Sequence, residues 1–244
     1  MCTFEMMQEQ AKWMRTPAGR LAHVQKRRMV EMLFSAWPRR GHSILEVGCG
    51  GEMFLDLLWE AGFDPTGTAE SPELLDSIRK HLGSKVDLHF CKPDSLPFDN
   101  DEFDYVALFS ALDVAKDPAL VLSEAFRVAA KGVLLVFNNY WSLAALQRQL
   151  CKGQSHLTSV EYYSLPQMLS LIRSIAPQNS ISCRSTLFGP VNFWREKGPL
   201  SVCSRLILPL PLGASLGLRV DIAPAATGTL LPLSVNYMPP AGTA

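Results

Sequence analysis

Residues 44–51 read Ile-Leu-Glu-Val-Gly-Cys-Gly-Gly, an apolar run interrupted by one acid and closed by a glycine-rich turn. Ile44, Leu45 and Val47 suit a strand buried on both faces, as in a parallel sheet. Gly48, Gly50 and Gly51 permit positive φ and let the backbone approach a ligand closely. The apolar segment from Met53 to Trp59 then begins a helix. Strand, glycine turn and helix in that order make the first βα unit of a nucleotide-type site.

Spacing narrows the ligand. A dinucleotide fingerprint needs G-x-G-x-x-G/A. Counted from Gly48, the third glycine position is Met53, too bulky for close helix–strand packing. Glu52 stands where a helix N-terminus would otherwise attract a diphosphate; a carboxylate suits the helix dipole there but repels phosphate. A ligand without phosphates fits better, and a nicotinamide enzyme is disfavoured.

The rest of the chain alternates strand-like and helix-like segments. The first strand, near 43–47, precedes a helix over 52–61 that Gly62 stops. A second strand spans 65–69. Ser71 as N-cap and Pro72 at the first helical position open a helix that ends near Leu82-Gly83. Strands follow at 86–90, 104–109 and 132–137, with a helix opened by Asp117-Pro118 between the last two. Beyond Asn139, 141–151 and 165–175 read as helices and 181–187 as a sixth strand. Strand-like pieces lie near 217–222 and 231–237, and one of them supplies an antiparallel seventh strand, which leaves 189–215 as an insertion. Residues 1–36 are helical in pattern, broken at Thr16-Pro17-Ala18-Gly19, with an apolar stripe of Trp13, Met14, Leu21, Val24, Met29, Met32 and Leu33. The alternation predicts an α/β, doubly wound, mostly parallel seven-stranded Rossmann-like sheet with an N-terminal helical extension. The extension takes residues 1–40. The domain takes 41–244, with its core at 43–139 and a less regular part at 140–244.

The chain has 244 residues, enough for one well-buried domain with additions. Lys+Arg and Asp+Glu balance at 23 each, so no nucleic-acid partner is expected. Lys26-Arg27-Arg28 reads as a solvated helix face. No long apolar run suggests a transmembrane segment, and six scattered cysteines without a C-x-x-C suggest reduced thiols in a cytoplasmic protein. The histidines show no metal-ligand spacing, and no metal is expected.

The glycine turn resembles the first motif of class I S-adenosylmethionine-dependent methyltransferases, E-x-G-x-G-x-G: Glu46, Gly48 and Gly50 match, and Glu52 replaces the last glycine. The run LPFDNDEFDYVALFSALDVAKDPALVLSEAFRVAAKGVLLVF resembles the acidic turn, fourth strand, helix and fifth strand of the type 11 group. The segment WMRTPAGR resembles one that precedes the core in some bacterial members. The resemblance implies S-adenosylmethionine as cofactor and methyl transfer to an unidentified small or lipid-like acceptor. It also implies site residues. Glu46 would orient the turn or accept from the ligand's ammonium group, or else serve as a buried acid bonded to backbone. Gly48, Cys49 and Gly50 would pass under the methionine portion, with Cys49 a small filler. The position of the usual ribose acid is Ala69, so Glu70, with Ser71 beside it, would take that role, or else serve as a solvent-facing acid. The position of the usual adenine contact is Lys92, leaving Asp94 and Ser95 for the adenine edge, or else Asp94 as a turn acid that caps its own loop. Ser110 would meet the sugar or sulfonium side, and Asp113 would cap the following segment. No general base stands out, so no catalytic residue is assigned. Trp13, Arg20, His23, Tyr140 and Trp141 flank the mouth as packing residues. Glu52, Ala69 and Lys92 depart from the family pattern and support an alternative: a non-catalytic methyltransferase-like binding or regulatory protein.

Overall fold

Thr16 accepts a hydrogen bond from the Gly19 N–H at 3.0 Å and Pro17 takes the first helical position. The break read in the sequence is therefore the start of a long helix, α1 (Pro17–Phe34). The computed structural model describes residues 12–49, 54–109, 111–150, 161–195 and 201–222. Gly50 to Met53, Ser110 and the strand-like piece 231–237 lie outside the described residues.

The elements follow in order as β1 (Ser43–Glu46), α2 (Leu55–Ala61), β2 (Asp64–Ala69), α3 (Pro72–Leu82), β3 (Asp87–Phe90), β4 (Phe103–Leu108), α4 (Ala111–Val114), α5 (Pro118–Val128) and β5 (Ala129–Asn138). Then come α6 (Leu143–Leu150), α7 (Leu165–Ile175), β6 (Ser180–Thr186), α8 (Ser201–Arg205), β7 (Ile207–Leu208) and β8 (Ser215–Asp221). They form one sheet of order β3-β2-β1-β4-β5-β8-β6-β7. The first five strands are parallel, and β8 runs antiparallel between β5 and β6. The predicted antiparallel strand near 217–222 is thus β8. The sheet has eight strands where the sequence suggested seven. The extra one, β7, is a two-residue edge strand paired with Ser185 and Thr186 inside the 189–215 insertion. So short a piece carries no period of its own, and only its partner defines it.

Strand alternation sorts the core into two faces. Ile44, Tyr105 and Leu134 pack with α1 and α2 residues such as Met29, Leu33, Leu57 and Leu58. Leu45, Val106 and Leu135 pack instead with Leu122 of α5 and Met168 and Ile172 of α7. Helices therefore cover both faces, and α1 is one of the covering helices, lying over β6 and β8. Its buried side chains are Leu21, Ala22, Gln25, Met29, Val30, Leu33 and Phe34. Val24 and Met32, placed on the apolar stripe by sequence, are exposed because that stripe runs through the i, i+4 row of Leu21, Met29 and Leu33. Arg27 is not a solvated cation either: it pairs with Asp56 of α2 at 2.7 Å and reaches Glu60 at 3.5 Å.

The acidic turn before β4 is held by one ion pair. Arg127 donates to the carbonyls of Phe98 (2.7 Å) and Leu96 (3.0 Å), while Glu124 accepts from the Leu96 N–H at 2.9 Å. Arg127 in turn keeps the Glu124 carboxyl below its usual range. No helix among the described residues is long and apolar enough to cross a membrane.

Candidate functional site

The strand order reverses between β1 and β4, and ligands of open α/β sheets sit beyond the carboxyl ends of the strands at that point. The glycine turn lies there. Gly48 adopts φ +68°, and a Cβ on it would lie 3.0 Å from the Ala111 Cβ at the start of α4. Both facts require glycine: the left-handed region disfavours a side chain, and no space is left for one.

Two hydrogen bonds from β2 fix this turn. Thr68 Oγ1 accepts from the Gly48 N–H at 3.0 Å, and the Thr68 carbonyl accepts from the Cys49 N–H at 2.6 Å. Thr68 is fully buried and was not identified from the sequence. One signal was present: a polar residue in the middle of an otherwise small, apolar strand end. The bonds lead to an expectation. Thr68→Val keeps the shape but strands the Gly48 N–H, which costs about 1–3 kcal/mol; Thr68→Ser retains most of the stability. Urea unfolding of both variants checks this, and equal stability of Thr68→Val and the parent would refute the clamp.

Glu46 ends β1 and is buried. Cys49 fills space, as read from the sequence: its Sγ lies 3.5 Å from the Glu46 carbonyl. Burial first, and the Glu46 charge second, push its thiol pKa well up, which is the opposite of an activated nucleophile. Ala69 points into an apolar cluster with Leu74, Leu75 and Ile78 of α3. The side chain at that position therefore faces a helix and not the crevice. Glu70 is half-buried at the bend after β2, close enough to Cys91 that, after burial, its charge helps raise that thiol. Ser71 is the N-cap of α3, accepting from the Leu74 N–H at 3.4 Å and donating to Glu73 at 2.5 Å. Its hydroxyl therefore already serves the helix start.

Asp94 and Ser95 are exposed in the turn after β3, and the Ser95 N–H closes that turn on the Lys92 carbonyl at 3.2 Å. Gly50 and Ser110 fall outside the described residues. Asp113 does not cap the next segment; Asp117 does, accepting from the Ala119 and Leu120 N–H groups. Asp113 instead binds the end of β5, accepting from the Asn138 side chain at 2.7 Å and its N–H at 3.4 Å. It is a tie between α4 and β5, invisible in sequence because its partner is 25 residues away.

The N-terminal helix reaches this crevice. The His23 ring lies 5.7 Å from the Phe54 ring, and Phe54 lies 4.4 Å from Phe109, which follows β4. The helix thus covers the region beside the glycine turn. Trp13 is half-buried against a cluster of Leu21, Leu187 and Trp194, while Arg20, Tyr140 and Trp141 are exposed. Among the described residues no group of three or more His, Cys, Asp or Glu side chains is placed to hold a metal.

Comparison with known proteins fits this arrangement. Residues 45–137 match the model of a family described as "Methyltransferase domain". The chain is 29% identical over 102 residues to the ubiquinone biosynthesis O-methyltransferase of Aromatoleum aromaticum, covering 40% of this chain and 44% of that protein. The protein of the same name from Methylococcus capsulatus is 30% identical over 102 residues, covering 40% and 43%. The chain thus spans less than half the length of these curated relatives. A crystal structure of an S-adenosylmethionine-dependent methyltransferase from Thermotoga maritima, a possible histamine N-methyltransferase, superposes with a TM-score of 0.66 at 18% identity, covering 90% of this chain and 97% of that one. The magnesium protoporphyrin IX methyltransferase of Synechocystis, solved with S-adenosylhomocysteine, gives 0.59 at 13% identity, covering 84% and 87%. At these identities the structural likeness concerns the fold.

Proposed function

We propose, from the premise that this chain belongs to the class I methyltransferases through its 45–137 domain, that it binds S-adenosylmethionine at the glycine turn and methylates an oxygen of a small or lipid-like acceptor. The carrying observation is the Gly48 turn, held at positive φ by Thr68 at the point where strand order reverses. The residues fit such a cofactor: a glycine turn with Gly48 at φ +68° stands at the carboxyl end of β1, and a half-buried carboxylate, Glu70, follows the adjacent strand.

S-adenosylmethionine, when bound, supplies an electrophilic methyl group on a sulfonium. The chain's part is to hold and align. In this reading Gly48, Cys49 and Gly50 pass beneath the amino-acid portion, with Glu46 behind the turn. Glu70 accepts hydrogen bonds from the ribose hydroxyls, a charge-assisted contact. Asp94 and Ser95 border the adenine edge, with Ser71 beside the ribose and Ser110 on the sugar or sulfonium side. Alignment of acceptor oxygen, methyl and sulfur would supply much of the acceleration; no side chain is assigned as base, and the proton of the acceptor hydroxyl leaves to water. The oxygen acceptor follows the matched relatives, which are named for O-methylation in ubiquinone biosynthesis. An apolar acceptor is supported by the large apolar side chains exposed beyond β5, such as Tyr140 and Trp141. Free thiols at Cys49, Cys91, Cys183 and Cys203 support a reducing, cytoplasmic setting.

Calorimetry with S-adenosylmethionine and S-adenosylhomocysteine tests the reading. The parent binds both. Glu70→Ala weakens binding by about 1.5–3 kcal/mol, the scale of a hydrogen bond to a charged group, and Glu70→Gln falls between. A parent that binds neither ligand favours the non-catalytic alternative. An unchanged dissociation constant in both variants removes Glu70 from the ribose site.

A further inference from the structure

The chain's zero net charge conceals a division. Residues 1–124 carry 13 Lys/Arg and 20 Asp/Glu, whereas residues 125–244 carry 10 Lys/Arg and 3 Asp/Glu. Among the described residues of the basic half, Arg127 faces Glu124, Lys131 faces Asp104 and Arg219 faces Asp221. The same half carries an exposed apolar rim at the carboxyl ends of β5 and β6, the end of the sheet that holds the glycine turn.

Asn139 assembles this rim. Its side-chain Nδ2 donates to the carbonyls of Pro211 and Gly213, each at 2.9 Å, and its Oδ1 accepts from the Trp141 N–H at 3.1 Å. Asn139 thereby ties the backbone before Trp141, which is 63% exposed, to the segment that carries the exposed Leu210 and Leu212. Ser142 then caps α6, accepting from the Ala145 N–H at 3.1 Å. Leu143, Leu146 and Leu150 follow at i, i+3, i+7 and all are exposed, Leu150 at 78%. Ala144 and Ala145 are the residues of this helix that turn inward. Segments 139–150 and 201–214 contain Arg148 and Arg205 and no acid.

We infer that this rim docks on a bilayer surface containing anionic lipids. Contiguous apolar patches of this kind mark interaction sites. An indole beside a leucine stripe suits the headgroup boundary, and the positive half of the chain suits the negative leaflet. A second copy of the chain is the poorer occupant, since it would set the same two acid-free segments, with Arg148 and Arg205, against their own like. Docking would set the mouth of the crevice against the lipid, so that an apolar acceptor reaches it without crossing water.

Flotation of the full chain with vesicles, without cofactor, tests this separately from the methyltransferase reading. The chain co-floats with vesicles of phosphatidylcholine and phosphatidylglycerol, far less with phosphatidylcholine alone, and is released by salt. The double variant Trp141→Ser, Leu146→Ser lowers the bound fraction about tenfold or more and keeps the parent's circular dichroism. Should that variant misfold, Leu150→Glu at the most exposed position gives the same loss. Absence of binding to the anionic vesicles, equal binding to both vesicle types, or undiminished binding by the folded variants overturns the proposal. A parent dimer in sedimentation that the same substitutions dissolve also overturns it, assigning the rim to a second copy.

Discussion

Trp37→Ala lowers the unfolding free energy by about 3–5 kcal/mol, the range for truncating a large buried aromatic. Trp37 stacks on Tyr105 with ring centroids 4.2 Å apart and donates from Nε1 to Asp221 at 2.6 Å. Gly132 of β5 has no side chain because one would lie 2.7 Å from the indole. The ring therefore fills a slot shaped by the sheet backbone, and alanine leaves a cavity that this backbone cannot close. Asp221 keeps Arg219 and Ser180 as partners, so the loss arises from packing and not from a stranded charge. Trp37→Phe keeps the stacking and costs much less. Urea unfolding measures both; a loss under about 1 kcal/mol for the alanine variant would contradict the slot.

Gly48→Val reduces affinity for S-adenosylhomocysteine more than about a hundredfold, or about 2.8 kcal/mol at 1.4 kcal/mol per tenfold. A branched side chain at φ +68° is a backbone outlier, and its Cβ presses on Ala111 at 3.0 Å. The turn must open, which carries the Gly48 and Cys49 N–H groups away from Thr68. The variant is compared with the parent by circular dichroism before calorimetry. A folded variant that binds as tightly as the parent shows that the cofactor lies elsewhere.

Local chemistry made much of the fold readable. Ser71-Pro72 and Asp117-Pro118 each cap a helix where the sequence placed one, while Thr16-Pro17, read as a break, caps the helix that follows it. Gly62 stops α2 with φ +96°, the left-handed cap that glycine favours. What depends on partners was not readable. β5 begins at Ala129 and not Gly132, because its first residue pairs with Phe103 across a register shift. The placement of β8 between β5 and β6 is a choice among distant strands, with no local signature. The site divides in the same way. Gly48 was legible because only glycine suits its turn. Thr68 and Asp113 were not, since each acts through a backbone group 20 or more residues away.

The bond between Trp37 and Asp221 joins residues 184 positions apart. Gly217 of β8, where a Cβ would come within 2.5 Å of Leu33, marks the groove in which α1 rests. A ribosome making about 5–20 residues per second delivers that groove roughly 10–40 s after the helix. Until then Met29 and Leu33 lack the part of their seat that β8 supplies and Trp37 lacks Asp221, so part of an apolar helix stays exposed where other chains can capture it. Insertion of β8 completes the central sheet and creates the seat for α1 in one event. Helix α1, made before every described strand, is therefore among the last elements to settle.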